Sequence, residues 1–327
     1  MSSRRPLPLD SGRGLWPWTL APRPVGDDRR GRRDVMVRLA PLAHHDTERS
    51  RGIAPKGRRH GATGSARGAP LVALLTDFGT RDWYVATLKG VILSRCPDAR
   101  LVDITHEVPP QDVLAGAFTL AAAAPWFPVG TVFLAVVDPE VGTDRALLAA
   151  RADGRYFVGP DNGLLTMCLA RAQHTSVVRL RNRRYWLTQV SQTFHGRDIM
   201  APVAAYLACG GSLSRLGTPM RHIRQPPLPL VQRRGRTIHG AVVHIDAFGN
   251  LITNMPAALL AGTRGSARVA LRYKDRGARV VSSYAEGRPR ELIAVAGSLG
   301  LVELAVREGS AAWVFDAKRG DPVELMR

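Results

Sequence analysis

The chain has 327 residues, of which 45% are hydrophobic, enough for two domains with a sizeable core. Its formal net charge is +19, which raises nucleic acid or an acidic membrane as partners. The excess is uneven: residues 1–68 hold 15 basic against 6 acidic side chains, so a short N-terminal stretch carries nearly half of it. No apolar run reaches the ~18 residues of a membrane helix. The start, MSSRRPLPLDSGRGLWPW, lacks the apolar centre of a secretory signal.

Residues 1–69 are rich in Arg, Gly and Pro and show no sustained period. Such a composition buries too little apolar surface to offset chain entropy, so a disordered basic tail is expected. A targeting peptide, a non-specific nucleic-acid arm and a translation start at Met36 are the alternatives for it. Cys96, Cys168 and Cys209 are isolated and odd in number. Without CxxC or Cys/His spacing they read as buried free thiols of a cytoplasmic protein, with no metal site.

Order is expected from Leu71. LVALLTD is an apolar run that ends in a polar turn, as a buried parallel strand does. DWYVATLKGVILSRC reads as a helix with Tyr84, Leu88, Val91 and Ile92 on one face. RLVDIT is a second strand. DVLAGAFTLAAAAPWF is a second helix, capped by Asp112 or the turn before it and stopped at Pro125. TVFLAVV is a third strand. This alternation predicts an α/β domain over residues 70–225 built on a mostly parallel sheet. ALLAARADGRYFVGP reads as a hairpin turning at Asp153–Gly154, followed by helices from Leu164 and from Asp198 to Ala208. Residues 226–237 are a Pro- and Arg-rich linker. Beyond it, GAVVHID, ARVALRY, ARVVSSY, ELIAVAG, LVELAV, AAWVFD and PVELM predict a small β-barrel-like domain over residues 238–327.

Four segments carry chemistry. In TDFG, Asp77 stands at the carboxyl end of the first strand, where open α/β sheets bind ligands; it suits a ribose diol or a turn cap. In VVDPEVGTDR, Pro139 ends the strand after Asp138. Gly142 lets the loop fold back, so that Arg145 pairs with Asp138 either as a catalytic unit or as a loop brace. In FHGRDIMAP, His195 precedes a helix start and either serves the Asp–Arg pair or is structural; Arg197 and Asp198 suit a capping pair. In HIDAFGNLITN, Asp246, Phe248 and Asn250 alternate, so an extended segment would point all three one way. An acid, an aromatic face and an amide suit an ammonium group and a purine.

Together these segments resemble the SAM hydroxide adenosyltransferase family, whose relatives include the SAM-dependent fluorinase and chlorinase. The resemblance runs from about Leu71 to Met326 through TDFG, DITHEVPPQDV, VVDPEVGTDR, VGPDNGLL, FHGRDIMAPVAA, IDAFGNLITN and GSLGLVELAV with its GSAA tail. It implies an α/β domain, a C-terminal β domain and a homotrimer holding ligand between subunits. It implies attack at C5′ of S-adenosyl-L-methionine (SAM), giving adenosine and L-methionine, with SAM as substrate and no cofactor or metal. The family triad matches Asp138, Arg145 and His195, which would position water or hydroxide. By the same matching Asp77 would hold the ribose, Asp246 and Ser298 the methionine ammonium, Phe248 and Tyr284 the adenine faces, and Asn250 its edge.

Halogenase relatives carry Tyr at the places of Asp138 and His195, Ser at the place of Gly196, and a long insertion where this chain has 15 residues between Arg145 and Asp161. Water is therefore the expected nucleophile. Glu140 departs from the family's DPGVG: it either strains a position requiring positive φ or sets a carboxylate near Arg145. A SAM- or adenosine-binding protein of lost catalysis is the reading that this departure leaves open, with a halogenase as a further one.

Overall fold

A computed structural model describes residues 68–226, 229–261, 268–271 and 276–326. All but the last two residues of the expected tail, 1–69, lie outside them. Seven strands form the first sheet: β1 (Leu71–Thr76), β2 (Arg100–Thr105), β3 (Val132–Val136), β4 (Leu147–Ala152), β5 (Arg155–Pro160), β6 (Thr175–Leu180) and β7 (Gly217–Pro219). Their order is β2-β1-β3-β5-β4-β6-β7. The sheet is parallel through β2, β1, β3 and β5 and antiparallel beyond. Every residue of β3 and five of six in β1 are buried, because helices cover both faces, which is why these strands are unbroken apolar runs.

Helices α1 (Tyr84–Arg95) and α4 (Ala201–Ala208) cover one face, with Leu88, Ile92 and Val203 packed on Leu74, Leu134 and Val136. Helices α2 (Val113–Ala123) and α3 (Thr166–Arg171) cover the other. Asp112 caps α2 by accepting from the Ala115 N–H at 2.9 Å. The expected hairpin turns at Asp153 and Gly154, both at positive φ. The helix expected from Asp198 starts earlier, as a π-helical turn at Gly196–Met200 that runs into α4.

The second sheet holds β8 (Gln232–Arg234), β9 (Thr237–Ile245), β10 (Leu251–Pro256), β11 (Arg268–Leu271), β12 (Arg276–Val280), β13 (Leu292–Ala296), β14 (Leu301–Val306) and β15 (Pro322–Met326). A β9–β10 pairing curls it back on itself around Val242, Leu251, Leu304 and Leu325. AAWVFD is not a strand: Ala311–Phe315 is a short helix, α5, capped by Ser310, which accepts from the Trp313 N–H. Part of the expected linker pairs as β8 on β9. The two sheets meet through α2. Phe118 stacks on His244 at 4.8 Å, and Arg319 forms an ion pair with Asp112. Val243, Ile252 and Leu301 belong to the same core as Phe118 and Leu164. Among the described residues, no helix is long and apolar enough to cross a membrane.

The cysteine expectation is corrected. Cys96 and Cys209 form a disulfide, with Cα atoms 6.0 Å apart, and Cys168 alone is a buried free thiol, its pKa pushed up by burial to about 12. The two bonded residues follow the last turns of α1 and α4, which pack side by side and bring positions 113 residues apart within bonding range.

Candidate active site

The Asp138–Arg145–His195 group starts where β3 stops. Beyond Val136 the chain makes two successive turns, with Val141 N–H on the Asp138 carbonyl and Thr143 N–H on that of Glu140. Gly142 sits at φ 86°, and a Cβ there would lie 2.9 Å from the Gln192 carbonyl, so only glycine fits both the conformation and the space. The loop returns Arg145 to Asp138. Its Nε donates to Oδ1 at 2.5 Å, and its Nη2 donates to Oδ2. The pair is bidentate, and the Arg145 side chain is 1% exposed.

His195 arrives from a second loop, which Asp198 braces. The buried Asp198 carboxylate accepts from the Ser191 N–H at 2.8 Å, the Ser191 hydroxyl at 2.7 Å and Arg197 Nε at 2.6 Å. Arg197 in turn lies over the Phe194 ring, so the Arg–Asp pair is a brace for this loop. A Cβ on Gly196 would lie 3.3 Å from Val136, a close approach that lets the π-helical turn press onto β3.

The loop sets His195 Nδ1 3.1 Å from Arg145 Nη2. A guanidinium only donates, so Nδ1 accepts, and the neutral ring carries its proton on Nε2. Burial, then the Arg145 charge, push His195 below the ordinary histidine pKa and favour that neutral form. Nη2 and Nε are thus engaged, and Arg145 Nη1 has no hydrogen-bond partner among the described residues.

Asp77 completes this corner. Its Oδ2 accepts from the Gln111 N–H at 2.8 Å, and burial, with the nearby Asp138 charge adding, raises its pKa. Glu140 neither strains the loop nor forms an ion pair with Arg145. It is not among the residues at positive φ, and its carboxylate binds Arg224 Nη1 at 2.6 Å, on the segment that leads to the second sheet.

The second group of candidates forms a separate cluster. The expected extended alternation at 246–250 is instead a tight turn between β9 and β10. Gly249 sits at φ 80° with its N–H on the Asp246 carbonyl. Asp246 Oδ1 accepts from the Phe248 and Asn250 N–H groups, and Oδ2 accepts from Asn250 Nδ2 at 2.9 Å. The Asn250 amide therefore serves Asp246, while Phe248 is 79% exposed. Asp246 and the exposed Ser298 line a cavity of about 230 Å³ together with His244, Glu303 and, from α2, Phe118 and Thr119. Tyr284, about half exposed, donates its hydroxyl to Glu303 Oε1. Among the described residues, no hydrogen bond or ion pair joins this cluster to the Asp138–Arg145–His195 group. Sequence reasoning missed Glu303 and the bracing role of Asp198. The signal for Glu303 was a lone acid inside the apolar run LVELAV.

Residues 72–217 match the SAM hydroxide adenosyltransferase N-terminal domain, and residues 240–324 match the C-terminal domain of the same name. The chain belongs to the SAM hydroxide adenosyltransferase family. It is 40% identical over 260 residues to the (R)-S-adenosyl-L-methionine hydrolase of Salinispora tropica, a match covering 78% of this chain and 97% of that protein. It is also 40% identical over 268 residues to the hydrolase of the same name from Thermus thermophilus, covering 78% and 99%. A fluorinase from an Actinoplanes species is 30% identical over 220 residues, covering 58% and 73%. The fold of this adenosyltransferase-family chain matches the crystal structure of an uncharacterized conserved protein from Thermotoga maritima, with a TM-score of 0.74, 35% identity, and coverage of 78% of this chain and all of that one.

Proposed function

We propose that this chain hydrolyses S-adenosyl-L-methionine at C5′ to adenosine and L-methionine, and that it takes the (R)-sulfonium epimer for which its hydrolase relatives are named. The observation that carries the reading is the contact of His195 with the bidentate Asp138–Arg145 pair. The sulfonium leaves as a neutral thioether, so nothing need protonate it. The difficulty is to aim a poor nucleophile along the C5′–S axis, and orientation of that kind supplies roughly 7–11 kcal/mol. Arg145 Nη1 and His195 Nε2–H, which also faces the Ser191 carbonyl, are both donors. Two donors suit a hydroxide taken from solvent: its oxygen bonds to C5′ as the C5′–S pair leaves with neutral methionine, so no proton is left to place. The tautomer set by Arg145 makes His195 an orienting donor here, not the proton acceptor. Asp77 holds the ribose hydroxyls against that corner.

The binding cluster would act in trans. The exposure of Phe248 and its separation from the triad support a site closed by a neighbouring copy, as in the homotrimer implied by the family. Asp246 and Ser298 would then meet the methionine end, and Phe248, Tyr284 and Asn250 the adenine. Incubation with each SAM epimer in ¹⁸O-water tests the reaction. The expected product is adenosine carrying ¹⁸O at O5′, formed faster from the (R) epimer. Unlabelled adenosine, or no turnover of either epimer, sinks the proposal.

A further inference from the structure

The segment DITHEVPPQDV carries a buried histidine that the triad chemistry does not use. His106 is 4% exposed and follows β2, beside the carboxyl end of β1 where Asp77 stands. Its ring bridges two side chains: Nδ1 lies 2.9 Å from the Thr76 hydroxyl, and Nε2 lies 3.0 Å from Asp103 Oδ1. Lys89, on α1, holds the other Asp103 oxygen at 2.7 Å. Burial works against the Asp103 charge, but the Lys89 and His106 contacts outweigh it and lower its pKa, so the carboxylate is ionised and only accepts. Asp103 therefore draws the ring proton to Nε2. That leaves Nδ1 to accept from the Thr76 hydroxyl, whose oxygen accepts in turn from the Phe78 N–H at 3.3 Å.

This chain of contacts ends on both sides of Asp77. Thr76 precedes it and Phe78 follows it, and the Gly79 N–H donates to the His106 carbonyl at 2.7 Å. One residue thus grips the Asp77 turn twice, by its ring and by its backbone. Asp77 lies one residue beyond the last pairing of β1 with β3, so the strand ladder does not hold it. Its Oδ2 is already spent on the Gln111 N–H. The setting of its backbone then decides where the rest of the carboxylate points. An apolar side chain would fill the space of His106 without the cost of burying polar atoms. What the ring adds is direction, because a hydrogen-bonded chain fixes an orientation that packing alone leaves loose.

We propose that His106 is a positioning residue: through Thr76 it fixes the Asp77 carboxylate against the ribose diol and so sets discrimination against sugars that lack those hydroxyls. This rests on the SAM reading above. Asp103 and Lys89 act behind it by keeping the ring proton on Nε2. No proton passes to the substrate along this chain.

The test reads recognition of the diol directly. Calorimetry on the full chain gives the ratio of affinities for adenosine and 2′,3′-dideoxyadenosine, with SAM turnover measured beside it. The wild type should favour adenosine by about 10- to 100-fold, the worth of hydrogen bonds to a charged group. His106→Phe keeps a ring but loses both of its side-chain contacts. It should cut the ratio by at least about five-fold, by weakening adenosine alone. Thr76→Val, nearly isosteric, should act the same way to a lesser degree. His106→Asn, whose amide oxygen accepts from Thr76, should keep most of the ratio. If His106→Phe does not fold, Thr76→Val and His106→Asn decide. Variants with an unchanged ratio, or a wild type that binds the two nucleosides alike, overturn the assignment while leaving hydrolysis intact. A wild type that neither turns over SAM nor binds adenosine overturns the hydrolase reading and this assignment with it.

Discussion

Asp138, Arg145 and His195 reach one another within a single chain, on loops pinned to a sheet whose strands are buried on both faces. Asp246, Phe248 and Asn250 sit on a five-residue turn that satisfies itself and leaves its aromatic ring in solvent. The first region is finished before substrate arrives. The second, on the proposed reading, is finished only when a neighbouring copy covers it. The difference follows from what each end must do. The nucleophile must be held still while a barrier is crossed, which favours packed, preorganised donors. The nucleoside must enter and leave, which favours surfaces that close around it.

The largest expected effect comes from unmaking the finished region. Asp138→Ala would leave Arg145 buried and unpaired. It should cost about 3–5 kcal/mol of stability and at least about 100-fold in turnover, read by thermal melting and single-turnover kinetics. Near-normal turnover would mean that the region is only a brace.

The next effect separates donor from base. His195→Ala should lose turnover strongly. His195→Gln should recover much of it, because a Gln amide both accepts from Arg145 and donates onward. Since the His195 pKa is lowered, the ring stays neutral to below pH 6.5. Protonation then removes its Nδ1 acceptor and sets a second cation beside Arg145. The acid limb of kcat/KM should therefore fall with a midpoint below 6.5 in the wild type and vanish in His195→Gln. A Gln variant as inactive as the Ala variant would make His195 the base.

The smallest effect belongs to the open region. Phe248→Ala should raise KM about 10-fold, the worth of one stacked base face, with kcat nearly unchanged. An equal fall in kcat would tie this turn to the chemical step and dissolve the contrast between the two regions.

Legibility in the sequence divides along the same line. The α/β region was readable because its signals are local: Asp112 before an apolar helix, Asp153–Gly154 between two strands, Pro139 and Gly142 shaping a loop that brings Arg145 back. The β region was harder. The alternation of Asp246, Phe248 and Asn250 suggested an extended strand, but Asp246 offers its turn four acceptor contacts (three from its side chain, one from its carbonyl) that an extended chain would forgo. AAWVFD has strand-like content, yet Ser310 caps it as a helix, and capping was the overlooked cue. The disulfide left no local trace at all, since its partners meet only once α1 packs on α4. The role of Asp198 was likewise invisible until the Ser191 loop folded over it.

The Cys96–Cys209 bond closes a ring of chain that contains Asp138, Arg145 and His195 but neither Asp77 nor any residue of the β region. In covalent terms the molecule is a macrocycle with two open tails. For a ring of this length the bond removes roughly 4–5 kcal/mol of freedom from the unfolded chain, and all of it from the part that carries the Asp138–Arg145–His195 group. When the protein unfolds, Asp138, Arg145 and His195 stay tethered to one another, while the Asp246 turn disperses with its tail.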